Sequence, residues 1–190
     1  MQVFDGLLEE DFERNIVATL LGSSFPWYFI KDLTGGSDTL LQSRPACKHQ
    51  FVKNGIATSN YTDMLNLIVA AVAKETKTNF NGILKARAFL QFPLSNSLTG
   101  EDTLDTFHVD TTIDHKVILY YVCDSDGDTI VTDKEYNNEL PTLLPATSEL
   151  NIIEKITPKQ GRILHFDGKL YHTACQPKHN VRCVINIDVI

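Results

Sequence analysis

The sequence has no apolar run long enough to cross a bilayer. Leu67 to Ala73 is apolar but short, against the roughly 20 residues a transmembrane helix needs. The segment Met1 to Glu13 is acidic and amphipathic and lacks the basic start and apolar centre of a signal peptide. A cytoplasmic, membrane-free protein is the expectation. None of the four cysteines (Cys47, Cys123, Cys175 and Cys183) is spaced as CxxC, which argues against a zinc knuckle or a thioredoxin-like motif. In a reducing compartment they are expected to be free thiols. No block of like charge, internal repeat or low-complexity segment interrupts the chain. With a net charge of -7, it is not built for non-specific capture of phosphate backbones, so nucleic acid is a disfavoured partner.

What is present is an ordinary globular composition, 43% hydrophobic and 22% charged over 190 residues. That length suits a single domain, residues 1–190. Its first part, 1–82, reads as helical support and loop. Leu7, Leu8, Phe12, Ile16, Val17, Leu20 and Leu21 recur at helical spacing, with Asp5 as a candidate cap and Gly22 as a stop. A second helix is expected from Asn60, as its N-cap, with Tyr61, Met64, Leu65, Ile68, Ala71 and Val72 on one face and Asn79 and Gly82 at its end. Between them lies the aromatic cluster Phe25-Pro26-Trp27-Tyr28-Phe29. It is followed by a polar stretch, Lys31 to Gly55, which reads as a long loop holding at most one strand.

From residue 83 the pattern turns to period two. Strands are expected at Ile83–Phe92, Thr106–Asp110, Lys116–Cys123, Thr129–Thr132, Ile152–Thr157, Arg162–Phe166, Leu170–Cys175 and Arg182–Val189. The run Asp124-Ser125-Asp126-Gly127-Asp128 reads as a hairpin turn. It imitates a calcium loop without the downstream glutamate, so a solvated turn is expected. Helices followed by many short strands indicate an α+β, mainly β chain. The architecture expected is a double-stranded β-helix, or jelly roll, at 83–190, packed against the N-terminal helices.

The chemistry is concentrated in few residues. His108 and Asp110, separated by one residue, share a face if both lie on a strand. Two imidazoles and one carboxylate leave open positions on an iron(II) ion, so a second histidine is needed. Of His49, His115, His165, His172 and His179, the best placed is His172, on a late strand that a jelly roll can bring back. His115 is expected to be exposed, His165 structural, His49 in a loop and His179 in a polar turn. Arg182 sits in the apolar run Val181 to Ile187 and needs an anionic partner, because its charge cannot be shed. A dicarboxylic cosubstrate or an ion pair with Asp188 or Glu154 would each serve. A His-x-Asp pair alone is also what an ordinary surface pair looks like.

The ordered set His108-x-Asp110, His172, Arg182 resembles the iron(II)/2-oxoglutarate-dependent oxygenases, in particular their prolyl 4-hydroxylase-like branch. Flanking segments add to the likeness: Lys116 to Val122 with Tyr120-Tyr121, Asp126-Gly127-Asp128-Thr129, Gly161 to Phe166, and His172 to Pro177. The resemblance covers most of Ile83 to Ile190 and only loosely the first third, where Phe25-Pro26-Trp27-Tyr28 is similar to small, including viral, members. It implies that His108, Asp110 and His172 hold Fe(II) and that Arg182 binds the distal carboxylate of 2-oxoglutarate. Alternation puts Tyr121 with Val117 and Leu119 on one face and Tyr120 on the other. The resemblance favours Tyr121 for that carboxylate, with Tyr120 the alternative; Thr173 and Asn186 are further pocket candidates. It also implies molecular oxygen as cosubstrate. Because Asp110 keeps the carboxylate that halogenating relatives lack, it implies hydroxylation, or hydroxylation leading to demethylation, of a prime substrate: a protein side chain, prolyl by analogy, or a small molecule such as a metabolite, a free amino acid or a modified nucleobase. Lys31 to Gly55 and Asn137 to Ser148 are the candidate lids. A non-enzymatic jelly-roll protein, or a cupin-like isomerase or hydrolase, is the competing class; neither accounts for Arg182.

Overall fold

The computed structural model of the protein describes residues 1–33, 44–93, 104–146 and 148–190. Its strands are β1 (Gln2–Phe4), β2 (Tyr28–Ile30), β3 (Ala46–Lys53), β4 (Ile56–Ala57), β5 (Ile83–Gln91), β6 (Phe107–His108) and β7 (Lys116–Tyr121). They continue as β8 (Thr129–Glu135), β9 (Leu143–Leu144), β10 (Ile152–Ile156), β11 (Ile163–Asp167), β12 (Leu170–Ala174) and β13 (Arg182–Val189), with helices α1 (Glu10–Leu20) and α2 (Asp63–Thr76). Two antiparallel sheets result. The major one runs β1-β11-β7-β13-β5-β3-β2, with β4 against β3, and the minor one runs β10-β8-β12-β6-β9. This is a jelly roll.

The alternation of each strand divides the core in two. One face of the major sheet presents Ala86, Ala88, Ile118, Tyr120, Ile163, Ile185 and Ile187 to the helices, where Ile16, Leu20, Leu65, Ile68 and Val72 cover them. The other face presents Val117, Leu119, Tyr121, Leu164, Phe166 and Val184 toward Val131 and Ile156 of the minor sheet. Each fully buried aliphatic side chain contributes about 1.5–3 kcal/mol. Strand β13 is buried along its whole length because it is covered on both faces.

Several local expectations change. The first third supplies four strands of the major sheet as well as helices. Part of the expected loop is β3, paired with β5 from Ala46↔Gln91 to Val52↔Ala86. Residues 34–43, the centre of one candidate lid, lie outside the described residues, as does Thr147 in the other. Asp5 does not cap α1, whose N-cap is Glu9; it pairs with the guanidinium of Arg162 instead. The second helix starts later than Asn60, at Asp63, and stops when Lys77 turns left-handed with φ 54°. Residues 124–128 do not form a hairpin, because β7 and β8 lie in different sheets. They cross between the layers, pinned where Asp126 accepts backbone N–H bonds from Lys178, His179 and Asn180. His49 belongs to β3 rather than a loop, in the aromatic cluster with Phe25, Phe51 and Tyr61.

Candidate metal and anion site

A cavity of about 370 Å³ opens between the two sheets. Strand register orders the major sheet that supplies one side of it. Across the major sheet, Ala46, Gln91 and Arg182 form one row, and Lys48, Phe89, Val184 and Tyr121 the next. A third row is Gln50, Arg87, Asn186 and Leu119, and a fourth is Lys85, Asp188 and Val117. The opposite wall comes from β6 and β12, which pair at a single position, His108 opposite His172. Two histidines distant in the chain are thus direct cross-strand neighbours, with ring centroids 4.5 Å apart.

Both rings are oriented alike. His108 Nδ1 faces the Thr106 carbonyl at 3.2 Å, and His172 Nδ1 faces the Leu170 carbonyl at 3.0 Å. A carbonyl can only accept, so each Nδ1 carries a proton, which leaves Nε2 as the nitrogen available to ligate. This backbone contact is how ligating histidines are held ready. Asp110 completes the group, its Oδ2 3.3 Å from His172 Nε2. Ligand atoms of His108, Asp110 and His172 lie within 4.8 Å of one another. The expected strand stops at His108, so strand alternation does not place Asp110. It is placed by Arg87, which donates to Oδ1 at 2.5 Å, by Asn186, which donates to Oδ2 at 3.1 Å, and by Lys85, which donates to the Asp110 main-chain carbonyl at 3.1 Å.

The charges agree with a ligand role. Burial, then His172, lowers the His108 pKa to about 4, which keeps the ring neutral at pH 7. Burial alone would raise Asp110, but Arg87, His172 and His108 outweigh it and hold the carboxyl well below its usual range. Burial would lower His172, yet the hydrogen bond and charge of Asp110 raise it. Two neutral-capable imidazoles and an ionised carboxylate are a donor set suited to a mid-row divalent metal with positions left open.

At the other end Arg182 is 4% exposed. Its Nε donates to the Gly127 carbonyl at 2.8 Å, Nη1 to Gln91 Oε1 at 2.8 Å and Nη2 to Thr129 Oγ1 at 2.9 Å. All three acceptors are neutral. Among the described residues no carboxylate lies within ion-pair distance of it. The expected rivals are placed elsewhere: Asp188 lies 3.8 Å from Arg87, and Glu154 is exposed on β10. A buried guanidinium without an anion is costly, so the cavity is poised for an anionic ligand. Gly127 permits the arrangement, because a Cβ there would come within 2.8 Å of Arg182 Cδ.

The remaining candidates divide. The Tyr121 hydroxyl donates to Thr129 Oγ1 at 2.8 Å, one bond from the guanidinium, but Tyr121 itself does not line the cavity. Tyr120 faces the helices, its hydroxyl buried without a partner. Thr173 lines the cavity but spends its hydroxyl on the Asp105 carbonyl at 2.8 Å. Asn186 lines it beside Asp110. His115 is buried, not exposed, with Nδ1 on the Ile113 carbonyl at 2.7 Å. His165 bonds the Val117 carbonyl and stays outside the site. Sequence reasoning misses Arg87 and Gln91, notes Thr129 only in a flanking segment, and notes Asp188 only as a rival partner for Arg182. Burial, then Asp110, raises the Asp188 pKa to about 7.

No protein-family model matches the sequence, and no curated protein matches it. Solved structures do. A 2OG-Fe(II) oxygenase family oxidoreductase from Burkholderia pseudomallei superposes with a TM-score of 0.66 at 12% identity, over 98% of this chain and 83% of that one. The chain has the fold of the 2OG-Fe(II) oxygenases. A viral collagen prolyl hydroxylase from Paramecium bursaria Chlorella virus-1, solved with 2OG, gives 0.56 at 12% identity, covering 99% and 94%. A non-heme α-ketoglutarate-dependent carbocyclase of nogalamycin biosynthesis gives 0.67 at 10% identity, covering 98% and 78%. Among the described residues no helix is long and apolar enough to cross a membrane.

Proposed function

We propose that this chain is an Fe(II)/2-oxoglutarate-dependent dioxygenase acting as a hydroxylase. The observation that carries the reading is the pairing of two ends of one cavity. At one end are the ligand atoms of two imidazoles and a carboxylate, grouped within 4.8 Å; at the other is a buried guanidinium with only neutral partners. Along β13, the step from Arg182 to Asn186 beside Asp110 is roughly 13 Å at strand rise, a span that a long side chain and a short diacid bridge together.

In this reading His108, Asp110 and His172 hold the iron, and the Arg182 fork takes the distal carboxylate. Thr129 and Gln91 fix the fork's plane, and Tyr121 fixes Thr129. The walls Val117, Leu119, Val184 and Phe166 keep the middle of the cavity apolar. The iron and 2-oxoglutarate, when bound, supply the oxidising chemistry by coupling decarboxylation of the diacid to oxidation of a substrate C–H bond with molecular oxygen.

The prime substrate is a protein side chain or a small molecule. A prolyl residue is one choice, from the viral prolyl hydroxylase, and a biosynthetic small molecule is another, from the carbocyclase of nogalamycin biosynthesis. One fold hosts both. The test is direct: protein supplied anaerobically with Fe(II) and 2-oxoglutarate should bind both and, on admission of oxygen, release succinate. Failure to bind either ligand refutes the reading.

A further inference from the structure

Asp110 is the one proposed ligand that its own strand does not orient, since β6 ends at His108. Its two carboxylate oxygens have different surroundings. Oδ2 faces His172 Nε2 at 3.3 Å and the Asn186 amide at 3.1 Å. Oδ1 faces the guanidinium of Arg87 at 2.5 Å. Arg87 and Asn186 are register partners on β5 and β13, so the sheet grips both oxygens from one side, opposite the histidines. Arg87 is itself steadied. Its guanidinium lies 5.3 Å from the Phe89 ring centroid and 3.8 Å from Asp188 Oδ2.

We propose that Arg87 is a positioning residue that confines Asp110 to ligation through one oxygen, Oδ2, and so keeps a metal position free for the cosubstrate. This rests on His108, Asp110 and His172 holding the metal. A carboxylate can bind a metal through one or both oxygens. If Asp110 used both, it would consume one of the positions that a two-histidine, one-carboxylate site leaves open. Nothing else among the described residues engages Oδ1, because Lys85 bonds the main-chain carbonyl instead.

A second grouping, Asp110, His115 and Asp188, also brings ligand atoms within 4.8 Å. Arg87 already faces the Asp110 and Asp188 carboxyls, and Lys85 sits on the Asp110 main-chain carbonyl. A second cation there would add positive charge beside two side-chain cations, in a setting where like charges repel strongly. The geometry therefore favours Arg87 as the resident cation of the Asp110–Asp188 pair.

The test compares wild type, Arg87→Met and Arg87→Lys. Each is titrated with Co(II), read by its visible spectrum, and then, loaded with Mn(II), with 2-oxoglutarate by calorimetry. Arg87→Met removes a positive charge beside the metal and frees Oδ1. Metal affinity should hold or rise, and the Co(II) spectrum should change. 2-Oxoglutarate affinity should fall by about tenfold or more, the order of effect that outer partners have at metal sites. Arg87→Lys, keeping charge and one donor, should recover most of that loss. Parallel loss of metal and 2-oxoglutarate in Arg87→Met would mark a merely structural role and overturn the proposal. So would an unchanged 2-oxoglutarate affinity. If Arg87→Met does not fold, Arg87→Met combined with Asp188→Asn keeps the local charge balanced and carries the same comparison. Wild type that binds no Co(II) would refute the metal site itself, a different failure.

Discussion

Replacing Arg182 with Met separates what the guanidinium does for the fold from what it does for a ligand. In the free protein the change orphans three acceptors: the Gly127 carbonyl, Gln91 Oε1 and Thr129 Oγ1. Each orphan costs about 1–3 kcal/mol if nothing else satisfies it. Thr129 keeps its bond from Tyr121, so the total falls near the low end. Against this, a buried cation without an anion is removed, which relieves several kcal/mol of desolvation. The two effects are of similar size, so the free protein should change little in stability. Ligand binding should change greatly. A two-pronged, charge-assisted contact to a carboxylate carries about 1.5–3 kcal/mol per hydrogen bond. Losing two therefore weakens 2-oxoglutarate by at least roughly a hundredfold, at about 1.4 kcal/mol per tenfold. At a ligand level about 100 times the wild-type Kd, wild type gains about 2.7 kcal/mol of stability and the variant well under 1. Calorimetry with the Mn(II)-loaded protein, alongside chemical denaturation with and without 2-oxoglutarate, reads both quantities. A 2-oxo acid without a distal carboxylate provides the control, since it should bind both proteins alike. The reasoning is refuted if Arg182→Met binds 2-oxoglutarate within about twofold of wild type, the factor expected when no charged contact is lost.

Further outcomes follow from single contacts. His172→Ala should lower metal affinity by more than the roughly 10–100-fold typical of an outer partner, measured by Mn(II) titration; full retention would remove His172 from the site. Tyr121→Phe should loosen 2-oxoglutarate binding slightly, through Thr129. Tyr120→Phe should leave it unchanged and should not reduce stability, because the Tyr120 hydroxyl is buried without a partner. Both are read by calorimetry and denaturant melts. Asp188 titrates near pH 7 in the folded protein against a usual 3.8. A raised folded pKa means that the folded state holds the proton more tightly, so the metal-free protein loses stability as pH rises from about 4 through 7. Asp188→Asn should therefore be more stable than wild type at pH 8 and equal to it near pH 4. Melts across that range would show the difference, and parallel curves would contradict it.

Much was legible in the sequence because period and residue chemistry are local properties. The alternation from residue 83 onward predicts nearly every strand between residues 83 and 190. The residue types at 108, 110, 172 and 182 name the four groups that the fold brings to one cavity. Alternation along Val117 to Tyr121 also separates Tyr121 from Tyr120, because a strand's two faces follow from parity alone.

What only the tertiary structure decided concerns partners. In β5 the polar residues Lys85, Arg87 and Gln91 alternate with Ala86, Ala88 and Leu90, a pattern that reads as one face in water. In the fold Arg87 and Gln91 of that face line the cavity between two sheets, and alternation cannot distinguish a cavity from solvent. The Asp124–Asp128 segment likewise reads as a turn, but whether a turn joins neighbours in one sheet or crosses between two depends on pairing elsewhere. Asp110 lies beyond the end of its strand, so its aim came from Arg87, Asn186 and Lys85, none adjacent to it in sequence. Local sequence could propose the residue types of the site. Their orientation required the long-range register that places β5, β12 and β13 around one space, since a hydrogen bond's direction is set by both of its ends.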